Sequence, residues 1–521
     1  MIRKYIMRLT MLLTLICIVS CVDDKGNYTY IPEEEMFPVS ISIPEAEAND
    51  NFIRAVKGEE LHVTANVTNI DGSGQYSYLW YAFPNNSNAT TEDMVELSAN
   101  QNLDLASVTL SAGDWMLCFR VIDDERGVFK ESQVYLTVSS SSFNSGWYVM
   151  KAKNDICDVD YFPNDYPDND PTFDMISLAG QTMYGNPVGL AWQESCYCHA
   201  VTDENGTTSI EQFEAWHFVS DRDMMTFQGG DDMVLLKNYD EQFYTPPTSH
   251  NPQAFLYYDA VNHQFLLDGG DLYNVVGTAV SYIPGRPNSA KSIGKYTLKP
   301  SEHSYYPAII PYSWSGDVVL FDIIGKAFYR YMPNTSSSNV NEISSFTLNG
   351  EIIDPSNMNA DIVKLSGSLN YDGQTYILMH QLSDNRYRLA KMPYGGTSFF
   401  EAFNEVPENS LLLQSDFMAA PSSGDLVYFN YGNEVYYYRD APGLDEREFK
   451  LFDIPADEQI TYMACNGSNG GNYLIVVTSK GEEYKCYFHL IPNVNQPEVN
   501  TTPDKILTGT GIASRLMYKA W

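Results

Sequence analysis

The feature that most constrains this chain is a repeat. From Gly146 to Trp521, apolar and aromatic runs come in pairs joined by short polar turns, with almost no helical period. Phe255–Leu267 turns around Asn262, Val318–Tyr331 around Gly325, Tyr376–Met392 around Asp384-Asn385, Leu426–Tyr438 at Gly432-Asn433, and Tyr473–Leu490 at Lys480-Gly481. Asn, Asp and Gly tolerate the backbone of a tight hairpin, so each pair reads as two antiparallel strands. The last two turns stand about fifty residues apart, and repeats of roughly 40–50 residues with several strands each predict a β-propeller. Seven blades would average about 54 residues and eight about 47. Seven is favoured, because connections such as Tyr282–Tyr305 and Asn334–Ile343 read as long. The alternative folds are a long two-sheet sandwich or a β-helix. In a propeller, Lys505–Leu507 and Leu516–Trp521 would complete a blade begun at Trp147, and closure would remove the exposed strand edges.

Composition agrees with β structure and excludes one class of partner. Of 521 residues, 44% are hydrophobic and 19% charged, a globular balance that rules out a disordered chain. The 38 tyrosines suit half-buried pleated surfaces. Lys and Arg number 31 against 67 Asp and Glu, giving a net charge of −36. Such a surface repels phosphate backbones, so nucleic acid is not an expected partner.

The N-terminus reads as an address. Arg3, Lys4 and Arg8 precede an apolar run from Leu9 to Val19, followed by Ser20 and Cys21. A basic segment, a short apolar core and a small residue before the cut describe a secretory signal over residues 1–20. The run is too short to span a bilayer. Ile18-Val19-Ser20-Cys21 resembles a bacterial lipobox, which implies that Cys21 is acylated and begins the mature chain. Asp23 and Asp24 resemble the export signal of Bacteroidota surface lipoproteins, implying a location on the outer membrane facing the cell exterior. The membrane is then met through the lipid anchor alone.

Residues 21–37 are polar and acidic and read as a tether. From residue 38 to 139 short alternating strands appear: Leu61, Val63, Ala65 and Val67 on one face, then Tyr78 and Trp80, then Trp115, Leu117, Phe119 and Val121, then Val134–Val138. About a hundred residues, seven or so strands and a buried Trp predict an immunoglobulin-like sandwich. The run AGDWMLCFRVIDDERGVFKESQVYLTV (Ala112–Val138) resembles the second half of a PKD domain, and the opening CVDDKGNYTY (Cys21–Tyr30) resembles PKD-like lipoproteins of gut Bacteroidota. Trp80 is followed by Tyr81, Ala82 and Phe83, not by the Gly-Asp-Gly turn of PKD modules, which points to the divergent PKD-like group. Residues 140–145, with Ser139–Ser142, form a hinge, and 146–521 form the propeller. The expected fold is therefore all-β, an immunoglobulin-like PKD-like sandwich followed by a seven-bladed propeller.

No catalytic signature emerges. Gly-x-Ser-x-Gly, His-Glu-x-x-His and the phosphate-loop pattern are absent, and Gly509-Thr510-Gly511 reads as a turn. The eight histidines lack ligand spacing. Cys118 alternates with core positions. Cys465 and Cys486 are candidates to pair across one hairpin, and Cys196-Tyr197-Cys198-His199 reads as core packing or a local bridge before zinc. Asp155, Asp158, Asp160, Asp165, Asp168, Asp170 and Asp174 crowd one segment. Asp165, Asp168 and Asp170 are candidate ligands of a structural Ca²⁺, set against a solvated acidic loop; no other cofactor is expected. Tyr305, Tyr306, Tyr312 and Trp314 lie in a Pro-punctuated segment read as a loop, either stacking on a ligand or packing between blades. Trp192 and Trp216 read as core.

The PKD-like resemblance implies an accessory protein of SusC/SusD-like outer-membrane importers. That would be a non-enzymatic binder of polymeric nutrient, either oligosaccharide or oligopeptide, working with the importer and other surface lipoproteins. The alternatives are a secreted propeller enzyme of the glycoside hydrolase or lyase class, and a scaffold that docks on the importer. The anchor is testable on its own. Cys21→Ala should abolish palmitate labelling and release soluble protein, and labelling equal to wild type would contradict it.

Overall fold

The computed structural model describes residues 37–520 apart from 50, 57–59, 70–73, 86–93, 111–112, 140–144, 203–207, 230–232, 259–262, 277–290, 293–294, 300–301, 334–339, 367–368, 370–372, 397, 442, 445 and 468–470. The signal segment, Cys21, Asp23, Asp24 and most of the hinge lie outside the described residues, and so do the side chains of Cys196 and Cys198.

The N-terminal unit is the expected sandwich. Tyr76–Pro84, Gly113–Asp123 and Val128–Ser139 form the centre of a five-stranded sheet, with Val95–Ser98 at one edge and Phe52–Val56 at the other. Phe52–Val56 joins in parallel and its neighbours are antiparallel. Two smaller strand pairs, Ser40–Ser42 with Asn66–Thr68 and Leu61–Val63 with Leu103–Leu105, cover its inner face. Leu61, Val63 and Ala65 point inward with Trp80, Leu117, Phe119 and Val121, as the period of two requires. Trp80 is fully buried, and its indole Nε1 donates to the Gln101 carbonyl at 3.0 Å, so its one polar atom is satisfied.

After Ser145 the described residues form seven sheets of four main strands each, with a small two-stranded hairpin, Phe346–Leu348 with Glu351–Ile353, between the fourth and fifth. Blade 1 contains Gly146–Lys153, Ile156–Pro163 and Met183–Tyr184; blades 2 to 7 follow in order over 187–237, 252–299, 310–342, 360–406, 418–453 and 459–510. The last strand, Ile512–Lys519, returns to pair antiparallel with Gly146–Lys153 and supplies the innermost strand of blade 1. Lys505–Thr510 is not part of that closure, contrary to expectation. It is the outer strand of blade 7, paired with Glu483–Leu490.

First strands of consecutive blades, such as Pro187–Thr202 and Pro252–Tyr258, or Gln459–Asn466 and Ile512–Lys519, pack on one another and so ring the axis. Among the described residues seven separate apolar clusters lie between the blades, one at each interface. Alternation divides each strand between two of them. In Gly146–Lys153, Tyr148 and Met150 join the cluster shared with blade 2, while Trp147 and Val149 join the cluster shared with blade 7.

The same alternation corrects the expectation for Cys465 and Cys486. They sit on strands separated by Tyr473–Lys480, one in the cluster toward blade 6 and the other in the cluster toward blade 1. Cys118, Cys157, Cys465 and Cys486 are buried free thiols, and burial pushes the Cys118 thiol up to about 12.

Polar networks complement the apolar clusters. Between blades 2 and 3, His217 bonds Thr226 Oγ1 at 3.0 Å and Gln193 Oε1 at 3.1 Å, and Tyr296 donates to Gln264 beside them. Burial drives the His217 pKa down to about 3, so the imidazole is neutral in the folded protein. At the closure Lys519 Nζ lies 2.6 Å from Glu214 Oε2 of blade 2, with side chains only 1% and 7% exposed. The ammonium also stands 4.5 Å from the Trp192 ring centre and 5.7 Å from that of Trp216.

A chain ending at Gly511 would lose the inner strand of blade 1 and leave Glu214 buried without its cation. Removing one partner of a buried pair alone costs about 3–5 kcal/mol. Calorimetry should therefore show the propeller transition lost or strongly lowered, with the N-terminal unit's transition in place. An unchanged propeller transition would contradict closure by this strand.

Candidate functional site

An up-and-down four-stranded blade has two ends. Turns between first and second strands, and between third and fourth, gather on one face of the ring, here the lower face. Turns between second and third strands, and connections between blades, gather on the upper face. Gly146 pairs with Lys519, and Asn154-Asp155 forms the second-to-third turn, so Gly146 stands at the lower face and the chain enters the propeller there.

This geometry separates the four aromatic residues expected to form one loop. The short strand Ile310–Pro311, innermost in blade 4, runs between them. Tyr305 and Tyr306 precede it at the upper end, where Tyr305 bridges to Asp322 and the Tyr306 amide donates to the Phe321 carbonyl. Tyr312 and Trp314 follow it at the lower end. Tyr305 is buried in the cluster between blades 3 and 4 and has no face for a ligand. Tyr306 and Tyr312 are half-buried against the cluster between blades 4 and 5. Trp314 is 62% exposed.

The loop that carries Trp314 is tied down at several points. The Tyr312 amide donates to both the Asp317 carbonyl and the Tyr258 hydroxyl, each at 3.0 Å, and the Tyr258 hydroxyl donates to the Asp317 carbonyl. The Gly316 amide closes the turn on the Ser313 carbonyl. His263 bonds the backbone at Gly316, and its burial holds its pKa below the usual imidazole range. Arg330 grips the Asp317 carboxylate through Nε and Nη2, and its guanidinium lies over the Tyr312 ring at 4.9 Å.

Blade 5 supplies the seat for the indole. Tyr394 meets Trp314 edge-on with centroids 4.8 Å apart, and the Gly395 amide donates to the Tyr312 carbonyl at 2.9 Å. Gly395 has φ 66°, and a Cβ there would come within 2.9 Å of Trp314 Nε1. The position therefore needs glycine twice over, for its backbone and for its closeness to the indole. The result is a large flat ring held by rigid neighbours and open to solvent. It suits stacking against a sugar ring or an extended peptide.

The residues expected to bind calcium are not assembled into a site. Asp165, Asp168 and Asp170 are exposed on one loop, where Asp165 accepts from Asn169. Their neighbours are engaged elsewhere: Asp158 accepts from Ile176 and Ser177, Asp155 pairs with Arg222, and Lys151 bridges Asp160 and Asp174 at 2.6 and 2.8 Å. Among the described residues no three His, Cys, Asp or Glu side chains converge as metal ligands. Trp216 is buried as expected, while Trp192 is half-buried with its Nε1 on Glu214 at 3.0 Å.

Sequence reasoning also passed over an upper-face cleft bordered by Tyr239 and His250. Its residues come from three connections far apart in the chain, and no local pattern unites them.

Residues 21–187 match the model of the PKD-like family, which supports a PKD-like domain at the N-terminus. The match begins at Cys21 and runs on through blade 1 into the first strand of blade 2. No curated protein matches the chain. Among solved structures, a quinonprotein alcohol dehydrogenase-like protein of Bacteroides thetaiotaomicron is 13% identical, over 92% of this chain and 99% of its own, with a TM-score of 0.38. A DUF4623 family protein of Bacteroides eggerthii is 13% identical over 91% and 85%, with a TM-score of 0.27. The Cps50 (Swd1) β-propeller domain of Myceliophteria thermophila is 10% identical over 58% and 86%, with a TM-score of 0.33. Likeness this loose says nothing of activity, and the propeller stands on its own strand pairing.

Gly395→Ala should displace the indole and cost about 1–2 kcal/mol for an alanine in left-handed backbone. The indole N–H resonance of Trp314, identified by its absence in Trp314→Phe, should shift while the other tryptophan signals stay put. An unmoved resonance would contradict the seat.

Proposed function

We propose that this protein is a lipid-anchored surface component that captures polymeric nutrient, oligosaccharide or oligopeptide, for a SusC/SusD-like outer-membrane importer. It holds the polymer without changing it chemically. The observation that carries this reading is the Trp314 ring, exposed on a loop that several hydrogen bonds and an ion pair make rigid. A rigid aromatic offers contact area at little entropic cost on binding, which suits a binder that must hold many similar segments of one polymer.

The anchoring is supported by Cys21 behind a short apolar run and by the PKD-like match that begins at that residue. Acylation at Cys21 would hold the chain at the outer surface, with residues 21–37 and the N-terminal sandwich as spacer. The chain enters the propeller at Gly146, on the same face as Trp314. Among the described residues no helix is long and apolar enough to cross a membrane.

The test is a binding panel of host and dietary glycans and protein digests, scored for both retention and product. The wild-type chain should retain members of one class weakly and release them intact. Trp314→Ala, with unchanged thermal unfolding, should weaken retention about two- to tenfold, the cost of one stacked aromatic at about 0.5–1.5 kcal/mol. New reducing ends or new amino termini would make the protein an enzyme. Retention unaffected by Trp314→Ala would remove the ring from the site.

A further inference from the structure

The upper face holds a cleft of about 520 Å³ between blades 1, 2 and 3, across the ring from Trp314. Tyr184 borders it where blade 1 leads into blade 2, Arg222 and Asp223 border it from a second-to-third turn of blade 2, and Asn238–Asp240 with His250 border it on the way to blade 3. Two of these aromatic rings form a fixed wall. His250 stacks on Tyr239 with centroids 3.7 Å apart. Tyr239 is buried, and its hydroxyl donates to Asp268, which also accepts the Asn251 amide. Tyr184, 53% exposed, adds a third ring.

The charges around the cleft are unevenly committed. Arg222 is taken up by Asp155 in a two-pronged pair at 2.9 and 2.5 Å. Asp221 accepts both the backbone amide and the side-chain amide of Asn186 at 2.9 Å. Two carboxylates keep capacity. Asp240 Oδ1 lies 3.4 Å from His250 Nε2 on a side chain 68% exposed. Asp223 spends Oδ1 on the Met224 amide at 2.8 Å, its Oδ2 has no hydrogen bond among the described residues, and the carboxylate shares His250 and Asp240 as charged neighbours. The cleft is thus an aromatic-walled space with two carboxylates in reach of a ligand and its one arginine already neutralised.

We infer that this cleft binds a lysine side chain of an extended peptide, with the ammonium between Asp223 and Asp240 and the aliphatic stem along the His250 and Tyr184 rings. A methylene stem ending in a cation matches apolar rings beside carboxylates, and the ring faces add attraction for the charge. An amino sugar fits less well. Its stem is short and polar where the rings offer apolar faces, and because the carboxylates and Asn238 can also bond sugar hydroxyls, the titration below includes it as the competing cation. The net charge of −36 draws cationic segments toward the surface from a distance.

The experiment is calorimetric titration of the full chain at physiological ionic strength with three probes. These are acetyl-trilysine amide, the same peptide acetylated on every side-chain nitrogen, and a chitosan trimer. The cationic peptide should bind, and acetylation should weaken it at least tenfold. Asp240→Asn and Tyr184→Ala should each weaken it about two- to fivefold. Asp168→Asn, on an exposed loop of blade 1, should change nothing, and neither should Trp314→Ala. Equal loss in Asp168→Asn would mean diffuse attraction to an acidic surface, and would overturn the site. So would equal binding of the acetylated peptide, preference for the chitosan trimer, or indifference to Asp240→Asn. Trp314→Ala tests polymer capture on the lower face alone, so each reading can fail while the other stands.

Discussion

Each blade is apolar on both faces, and this governs the whole structure. In Val318–Asp322 all five residues are buried, because successive side chains enter two different cores. A sheet of that kind cannot end against water on either side. Seven of them satisfy one another only in a closed ring. The closing contact joins residues from opposite ends of the domain: Trp147 and Val149 meet Ile475, Val477 and Phe488 across the seam, while Leu516 and Ala513 fill the same cluster from the last strand. Trp147 and Phe488 meet edge-on with centroids 4.6 Å apart. The Lys519–Glu214 pair then ties that last strand to blade 2 on its other side.

Closure leaves the blade ends as the place where chemistry can vary, since the strands are committed to packing. The two faces differ. The lower face offers Trp314 on a loop stiffened by Tyr258, Asp317 and Arg330, and the chain enters the propeller there at Gly146. The upper face offers the cleft of Tyr184, Tyr239 and His250, with carboxylates at its rim. One rigid scaffold therefore presents an aromatic platform on one side and an acidic, ring-lined recess on the other.

The sequence revealed the architecture better than the sites, and particular residues show why. Hairpins such as Leu426–Tyr438 announce themselves because Gly432-Asn433 sits between two aromatic-rich runs. The sandwich core is legible because Leu61, Val63 and Ala65 alternate with polar residues. Ile310–Pro311 is not legible: two residues, one of them proline, carry no strand pattern, yet they separate Tyr305 and Tyr306 from Tyr312 and Trp314. Strands buried on both faces also hide direction. Cys465 and Cys486 look like neighbours in the chain of hairpins, yet an intervening strand and opposite faces part them. The cleft depends on connections from three blades, and Lys519 meets a glutamate from the far end of the domain. Such meetings follow from ring closure and leave no local trace.

Native-state hydrogen exchange tests the closed ring most directly, because it reads each strand's free energy of opening. If the last strand completes blade 1, the amides that bond between Ile512–Lys519 and Gly146–Lys153, the seam in which Val149 faces Leu516, should exchange only through global unfolding of the propeller. Their protection should then equal that of Val476, in the middle of blade 7. Exchange of the seam amides through a local opening, orders of magnitude faster than Val476 and insensitive to global stability, would contradict the account.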